Sequence, residues 1–300
     1  MRTISLLKGI APAISLLFVM FFTLTGYGQE KKVIYQLQIP DSSTVQMITT
    51  MDGSTLIGRI IDIMDDMILF QTEMGNISLK ISRIKKIDEV PAKSIRGGNY
   101  WFPNPNYTRL YFAPTGRMLE KGKGYFSDYY IFFPGIAYGL TDRLTIGGGF
   151  SIFPGVNMND QLFFITPKIG LIQSDDINLA AGALIIKIPD EDDFGTFGIL
   201  YGVGTYGSAD RSISIGLGYG FASGDVANEP VFMIGVENRF ARRVAFVSEN
   251  WIFPGVDNPL ISYGLRFFGE SMSFDLGFFN VLGEDALFPG IPWVDFVYNF

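Results

Sequence analysis

The chain has 300 residues, a formal net charge of −7 and neither cysteine nor histidine, a length sufficient for one large barrel and one small domain. The missing residue types exclude disulfides, thiolate or imidazole metal sites, a lipid-modified N-terminal cysteine and any catalytic site that depends on histidine. Charged residues make up 18% and aromatic residues 15% of the chain, against about 25% charged in a soluble domain, which suits a protein with a wide lipid-facing surface.

Residues 1–28 have the pattern of a signal peptide. Arg2 and Lys8 form a positive n-region, the apolar stretch 14–24 follows, and small residues precede a cleavage site before Gln29. The alternative is a single membrane-spanning helix, but the apolar run is shorter than the ~20 residues that a span needs. The chain is therefore expected to be exported.

Residues 40–90 predict a small β-domain. Short β-rich runs alternate with turn signals such as Asp52-Gly53 and Gly75-Asn76, which is typical of a hairpin meander. The segment resembles the small barrels of the Sm and SH3 families through the spacing of Gly53, Gly58, Leu69, Gly75, Ile84 and Ile87. Sm folds often bind RNA, but a neutral domain behind an export signal argues against that role. A peptide- or subunit-contacting module and a plain folding cap both stay open.

A predicted linker at residues 91–106, with three prolines and a pair of glycines, separates two regions of different charge. Residues 29–100 carry nine basic and nine acidic side chains, whereas residues 101–300 carry twelve basic and twenty-one acidic ones. No stretch resembles a basic nucleic-acid-binding surface, so no nucleic-acid partner is expected.

The region 107–300 predicts an antiparallel transmembrane β-barrel. Over 211–222, apolar residues such as Ile213 and Ile215 alternate with small or polar ones such as Ser214 and Gly216. A period of two places the first set on the lipid face and the second in the lumen. About twelve segments follow this pattern: 107–113, 129–140, 143–153, 161–172, 176–187, 194–206, 211–222, 230–238, 243–252, 259–268, 271–279 and 293–300. The predicted fold class is all-β.

The same alternation predicts six charged side chains that face the lumen. They are Lys168, Glu237, Glu249, Arg266, Asp275 and Asp295. Charges are tolerated in a wet or paired interior and are costly on the lipid face. A salt-bridged interior that fixes the barrel's shape is the favoured interpretation. The alternative is a selectivity-determining lining, in which the acidic excess would favour cations.

The last strand places Phe296, Tyr298 and Phe300 on one face. This resembles the terminal aromatic strand that the barrel assembly machinery of the outer membrane recognises. Residues 107–300 as a whole resemble uncharacterised outer-membrane β-barrel proteins of Gram-negative bacteria, and the stretch 137–149 is similar to their strand–turn–strand hairpins. The resemblance implies an outer-membrane location and contact with its lipid, and it brings no catalytic residues.

The leading functional hypothesis is a non-enzymatic outer-membrane barrel that acts as a narrow pore or as a structural anchor. In the anchor version, the domain at 40–90 would hold a periplasmic protein partner. A secreted, soluble β-rich binding protein is the alternative. A histidine-free hydrolase using Glu237 and Glu249 is the least favoured, because nothing in their spacing indicates acid–base catalysis. No cofactor, metal or catalytic residue is indicated.

Overall fold

A computed structural model describes residues 37–188, 195–283 and 288–300. The chain divides into two compact units, Met1–Trp101 and Phe102–Phe300. The predicted signal peptide, residues 1–28, lies outside the described residues. Among the described residues, no helix is long and apolar enough to cross a membrane.

The first unit contains a five-stranded antiparallel sheet in the order β4-β3-β2-β1-β5. Its strands are β1 (Thr44–Thr50), β2 (Thr55–Ile63), β3 (Met67–Thr72), β4 (Gly75–Lys80) and β5 (Ile84–Pro91), followed by the short pair β6 (Ile95–Arg96) and β7 (Asn99–Tyr100). Its core is apolar and consists of Ile48, Ile60, Ile68, Phe70, Ile84 and Ile87. Gly53 and Gly75 adopt positive φ angles at the turns after β1 and before β4, where glycine avoids the steric cost of a Cβ. The resemblance to Sm and SH3 barrels stays a prediction.

The second unit is a closed antiparallel barrel with twelve strand positions. The wall consists of β8 (Gly124–Tyr129), β9 (Phe133–Thr141), β10 (Leu144–Phe150), β11 (Phe163–Ile165), β12 (Lys168–Gln173), β13 (Ile177–Lys187), β14 (Thr196–Gly207), β15 (Arg211–Ala222), β16 (Asp225–Val226), β17 (Val231–Ala241), β18 (Val244–Ile252), β19 (Leu260–Phe268), β20 (Met272–Val281) and β21 (Ile291–Asn299). β11 and β12 share one position between β10 and β13, and β16 pairs only with β15. The barrel closes because β8 pairs with both β9 and β21. The predicted all-β barrel of about twelve strands is confirmed.

The sequence predicted the wrong first strand. Residues 107–113 are not part of the wall, which begins at Gly124. The predicted strand 129–140 corresponds to β9, whereas β8 precedes it in residues that the prediction left out, apart from Tyr129. A tight turn in which Tyr130 and Ile131 have positive φ angles joins the two strands. The two differences cancel in the strand count. The predicted linker 91–106 is not a single connecting segment. It contains β6 and β7, and its residues from 102 onward belong to the barrel unit.

The barrel wall has an apolar outer face and a small or polar inner face. In β15, Ile213, Ile215 and Leu217 are 39%, 59% and 43% exposed, whereas Ser214 is buried. Alternation along a strand produces this division, and an apolar exterior is what contact with lipid requires.

The two ends of the barrel differ in their connections. At the turn end, the residues between strands number two or three, as at 142–143, 208–210 and 242–243. At the loop end, four of the connections are longer: 151–162, 188–195, 253–259 and 282–290. In bacterial outer-membrane barrels, the short turns lie on the periplasmic side and the longer loops outside.

Candidate functional site

The lumen of the barrel is occupied by the chain's own residues 102–119, here called the inner segment. Fourteen of its eighteen residues are buried. The segment folds back on itself: the amide of Leu110 donates to the carbonyl of Ala113 at 2.8 Å, and the amide of Thr115 donates to that of Thr108 at 2.9 Å. It enters at the turn end, where the side chain of Asn104 donates to the carbonyl of Ala209, between β14 and β15, at 2.8 Å.

Arg266 of β19 is the centre of the lumen's ionic network. Its side chain is fully buried and forms ion pairs with Glu237 at 2.9 Å and with Asp275 at 2.7 Å. The guanidinium also donates to three backbone carbonyls of the inner segment, those of Asn106, Arg109 and Leu110, at 3.0, 3.3 and 2.7 Å. A planar guanidinium has five N–H donors, so the six acceptors around Arg266 are all served only because the two N–H groups of Nη1 are shared among three of them. A single wall side chain therefore binds the backbone of the inner segment at three residues.

A second buried ion pair runs from the inner segment to the wall. Arg109 contacts Asp295 of β21 at 2.7 Å and donates to the carbonyl of Tyr111 at 2.6 Å. Its guanidinium carbon also lies 4.9 Å from the ring centroid of Tyr129, within the range of a cation–π interaction. Arg109 was not predicted as a site residue, because its segment was assigned to the wall.

The two glutamates that could have formed a catalytic pair bind the inner segment instead. Glu237 accepts from Asn104 Nδ2 at 2.6 Å in addition to its pair with Arg266. Glu249 accepts from the backbone amides of Phe112 and Ala113, both at 2.9 Å, and from Trp251 Nε1 at 2.7 Å. Each carboxylate therefore accepts hydrogen bonds that hold the inner segment in place.

Lys168 of β12 also binds the inner segment, but through backbone groups alone. Its Nζ donates to the carbonyl of Arg117 at 2.6 Å and of Thr108 at 3.3 Å. Within the part of the chain that the structure describes, no carboxylate forms an ion pair with Lys168. Lys168 thus differs from Arg266 and Arg109, each of which faces a carboxylate.

The structure places all six predicted lumen charges in the barrel interior, each at most 7% exposed. Five of them contact the inner segment directly. Asp275 is linked to it through Arg266, whose Nε and Nη2 donate to the two carboxylate oxygens of Asp275. The sequence missed the partner of these charges, the inner segment. The available signal was the run of prolines at 103, 105 and 114, since proline cannot donate to a sheet ladder and is unusual in a central strand.

Glycines in the wall make room for Leu110 and Tyr111, two fully buried side chains at the tip of the inner segment. A Cβ at Gly235 would lie 2.0 Å from Cδ1 of Leu110, and a Cβ at Gly264 or Gly277 would lie 2.8 Å from the hydroxyl of Tyr111. These distances are shorter than any van der Waals contact, so the wall has no space for side chains there. Tyr111 also donates to the carbonyl of Val247 at 3.1 Å.

A cavity of about 130 Å³ lies in the lumen beside the inner segment. Its wall is mostly apolar and aromatic, with contributions from Phe112, Tyr129, Phe164, Tyr201, Met233 and Trp251. Its polar lining includes Thr145 and Lys168. The inner segment therefore does not fill the lumen completely.

The predicted assembly residues lie on the outer face of β21. Phe296, Tyr298 and Phe300 are 36%, 37% and 54% exposed. Phe300 also forms two backbone hydrogen bonds with Gly124, at 2.9 and 3.1 Å, where the last strand meets the first. Their recognition by the assembly machinery stays a prediction.

Comparisons with known proteins give similarity of fold only. No protein-family profile and no curated protein matches the chain. Among solved structures, the chain is similar to the NanC porin, with 9% identity, coverage of 59% of this chain and 97% of that chain, and a TM-score of 0.39. It is also similar to a loop-deletion mutant of OmpT, an outer membrane protein of Vibrio cholerae (11% identity, 86% of this chain, 97% of that chain, TM-score 0.32). A third similar structure is OccK11 of Pseudomonas aeruginosa (10% identity, 86% of this chain, 94% of that chain, TM-score 0.31).

The location of the chain follows from the geometry of its own barrel. Each of the twelve strand positions of the wall is paired on both sides, so the described part of the barrel has no free edge along its circumference, which is what the interior of a bilayer requires of a β-structure. The large exposed side chains of the wall are mostly leucine, isoleucine, valine, phenylalanine and tyrosine, whereas the exposed charges Lys187 and Arg211 lie at strand ends and the buried charges face inward. The chain is a β-barrel of the outer membrane.

Proposed function

We propose that the chain is a non-enzymatic outer-membrane barrel, closed by its own inner segment, that anchors the N-terminal domain at the periplasmic side. One observation carries this proposal: five of the six predicted lumen charges bind residues 102–119 directly. Charges that line an open channel face water and passing solute. In this barrel, the charged side chains form hydrogen bonds with the inner segment instead, and the inner segment closes the lumen.

The entry point of the inner segment supports the periplasmic side that we propose for the domain. Phe102 packs against Arg239, near the turn between β17 and β18, with the guanidinium carbon 4.7 Å from the ring centroid. Short turns lie in the periplasm in bacterial barrels. Residues 37–101 precede this entry point and would then be periplasmic, where a sheet with a compact core could bind a periplasmic protein partner.

A narrow pore is the second candidate, and the cavity of about 130 Å³ beside the inner segment favours it. In that case the inner segment would be a constriction rather than a permanent closure. Displacement of the segment would expose Glu237, Glu249, Asp275 and Asp295, and this acidic lining would favour cations.

The two remaining hypotheses have less support. A soluble, secreted binding protein would expose charge on the outer face of the wall, where Ile215, Phe232 and Leu265 are exposed instead. A hydrolase based on Glu237 and Glu249 would need carboxylates free to exchange protons with a substrate, and both are held by the inner segment.

The anchor is tested by introducing a sequence-specific protease site between Gly97 and Gly98, in the turn between β6 and β7. This position precedes the inner segment, so cleavage leaves residues 102–119 in place. The full-length chain is reconstituted in planar bilayers, and conductance is recorded before and after cleavage. The heat-dependent gel shift of the barrel and the release of the domain into the aqueous phase are followed in parallel.

The anchor predicts no channel conductance before or after cleavage, release of the domain, and an unchanged gel shift. A defined single-channel conductance in the intact chain that survives cleavage would overturn closure and establish the pore. If the domain stays with the membrane fraction after complete cleavage, the barrel is not its tether.

A further inference from the structure

The lumen cavity has a mostly apolar lining, and two of the polar residues in that lining, Thr145 and Lys168, have no acidic counterpart among the described residues, unlike Arg109, which pairs with Asp295. Thr145 of β10 and Lys168 of β12 are paired directly across neighbouring strands. They are 8% and 7% exposed, and both line the cavity. The remaining lining is dominated by aromatic and aliphatic side chains. The cavity is therefore amphipathic, and Thr145 and Lys168 lie side by side in its lining.

The polar groups have unused hydrogen-bonding capacity. The hydroxyl of Thr145 is buried and has no hydrogen-bond partner among the described residues. Lys168 donates to two backbone carbonyls, and an ammonium group has three donors. A buried polar group without a partner costs free energy, and a buried charge costs more. An anion that accepts from both groups would remove both costs.

The apolar part of the cavity limits the size of the occupant. Its volume is about 130 Å³, close to the ~150 Å³ of an engineered apolar cavity that binds benzene. Tyr201, Met233 and Trp251 contribute to this part of the lining, and aromatic side chains offer faces and edges on which a ring can pack. One aromatic ring or a short aliphatic chain fits, and a long acyl chain does not.

The placement of the polar groups sets the orientation of the occupant. Trp251 and Val231 lie at the loop-end termini of β18 and β17, whereas Thr145 lies close to the turn-end terminus of β10. The polar end of the cavity is thus the deeper one when it is approached from the loops. An occupant that enters from outside would insert its charged group first and leave its apolar body against the aromatic wall.

We propose that this cavity binds a small monocarboxylate with an apolar body, whose carboxylate accepts hydrogen bonds from Lys168 Nζ and the Thr145 hydroxyl. The inference does not depend on whether the barrel is an anchor or a pore, because it concerns space that the inner segment leaves unfilled. It assigns Lys168 a role that differs from that of the lumen arginines, which already face carboxylates.

The proposal is tested by calorimetric titration of the full-length chain in detergent with benzoate, and with benzyl alcohol as an uncharged probe of the same size. We expect one benzoate per chain and at least roughly tenfold weaker binding of benzyl alcohol, because a hydrogen bond to a charged group is worth about that factor or more. Lys168→Met should weaken benzoate binding by a similar factor, and Thr145→Val by a smaller one. Lys121→Met, at an exposed lysine, should leave it unchanged.

Lys168→Met also removes two hydrogen bonds to the inner segment, so a loss of binding could reflect a loosened lumen. Val203→Phe addresses this, because it fills the cavity from β14 and leaves Lys168 intact. Both variants are checked for the heat-dependent gel shift of the folded barrel, and Val203→Phe should abolish benzoate binding. The proposal is overturned if the folded wild type takes up no benzoate at up to ~1 mM, if benzyl alcohol binds as tightly, or if Val203→Phe and Lys168→Met bind like the wild type.

Discussion

Replacing Arg266 by methionine is expected to destabilise the barrel more than any other single truncation of a lumen side chain. Methionine keeps much of the volume and removes the charge. Both oxygens of Asp275 lose their donor, Glu237 keeps only its bond from Asn104, and three carbonyls of the inner segment lose theirs. Removing one partner of a buried ion pair costs about 3–5 kcal/mol, because a charge is left uncompensated.

The lost carbonyl contacts add to this figure, since a buried acceptor without a donor costs about 1–3 kcal/mol. The contributions are not additive within one network, so we expect a total of about 5 kcal/mol. The free energy of unfolding is measured by denaturant titration of the chain in lipid vesicles, followed by tryptophan fluorescence and the heat-dependent gel shift.

Three comparisons separate the network from a general effect of mutation. Arg143→Met, at an exposed arginine, should change the free energy of unfolding by less than about 0.5 kcal/mol. Arg266→Lys should lose only part of the stability, because an ammonium group keeps the charge but not the planar fork. Adding Asp275→Asn to Arg266→Met should recover part of the loss, because an uncompensated carboxylate is then removed. A loss of less than about 1 kcal/mol in Arg266→Met would refute a structural role for the network.

Three further predictions concern other parts of the molecule. Gly235→Ala should destabilise the barrel by about 1–3 kcal/mol, because its Cβ would lie 2.0 Å from an inner-segment methyl group; Gly202→Ala, with nothing within 4 Å, should be neutral in the same vesicle titration. Ile215→Arg, in the middle of β15, should cost about 2–4 kcal/mol in vesicles, and Tyr206→Arg, near the end of β14, about 0–1. Hydrogen bonds from Thr50 and Ser54 lower the pKa of Asp52 from its ordinary value of 3.8 to about 2. The ionised Asp52 should therefore stabilise the β1–β2 turn at pH values above 3.8. That contribution should be lost as the pH falls towards about 2, and pepsin digestion of the full chain across this interval should show it as faster cleavage within 44–63.

Each of these predictions has a result that contradicts it. Equal stabilities of Gly235→Ala and Gly202→Ala would mean that the inner segment does not pack against β17. Equal costs for arginine at 215 and 206 would contradict a lipid-facing β15. For the turn, Asp52→Ala should be cleaved faster than wild type near the upper end of the pH interval and equally fast near the lower end. If the cleavage rates of wild type and Asp52→Ala differ by the same factor across the interval, the charge of the Asp52 carboxylate does not stabilise the turn.

The wall of the barrel could be read from the sequence because the relevant signal is local. Strands β15, β19 and β20 alternate apolar residues with small or polar ones with a period of two, because lipid on one side and a packed interior on the other favour this pattern. The turn between β8 and β9 was missed because Tyr130 and Ile131 adopt positive φ angles without the glycine or asparagine that usually marks such a turn.

The inner segment could not be assigned from local pattern. Residues 107–113 contain Leu110, Tyr111 and Ala113 among polar neighbours, and in sequence this looks like the alternation of a wall strand. All three are buried in the lumen rather than exposed to lipid. A strand and a folded-back segment inside a barrel bury apolar residues alike, so composition does not distinguish them. Only Pro103, Pro105 and Pro114 argued against a strand.

By itself, the sequence determined that this chain forms an antiparallel β-barrel and that six of its charges point away from the lipid face, because alternation along a strand assigns each side chain to one of two faces. It did not determine what those charges meet. Arg266 and Asn106 are 160 residues apart in the chain and 3.0 Å apart in space, and such pairings arise only when the barrel closes around residues 102–119. The tertiary structure alone decided that the lumen is occupied by the chain itself, and that Lys168 and Thr145 are left facing an unfilled cavity.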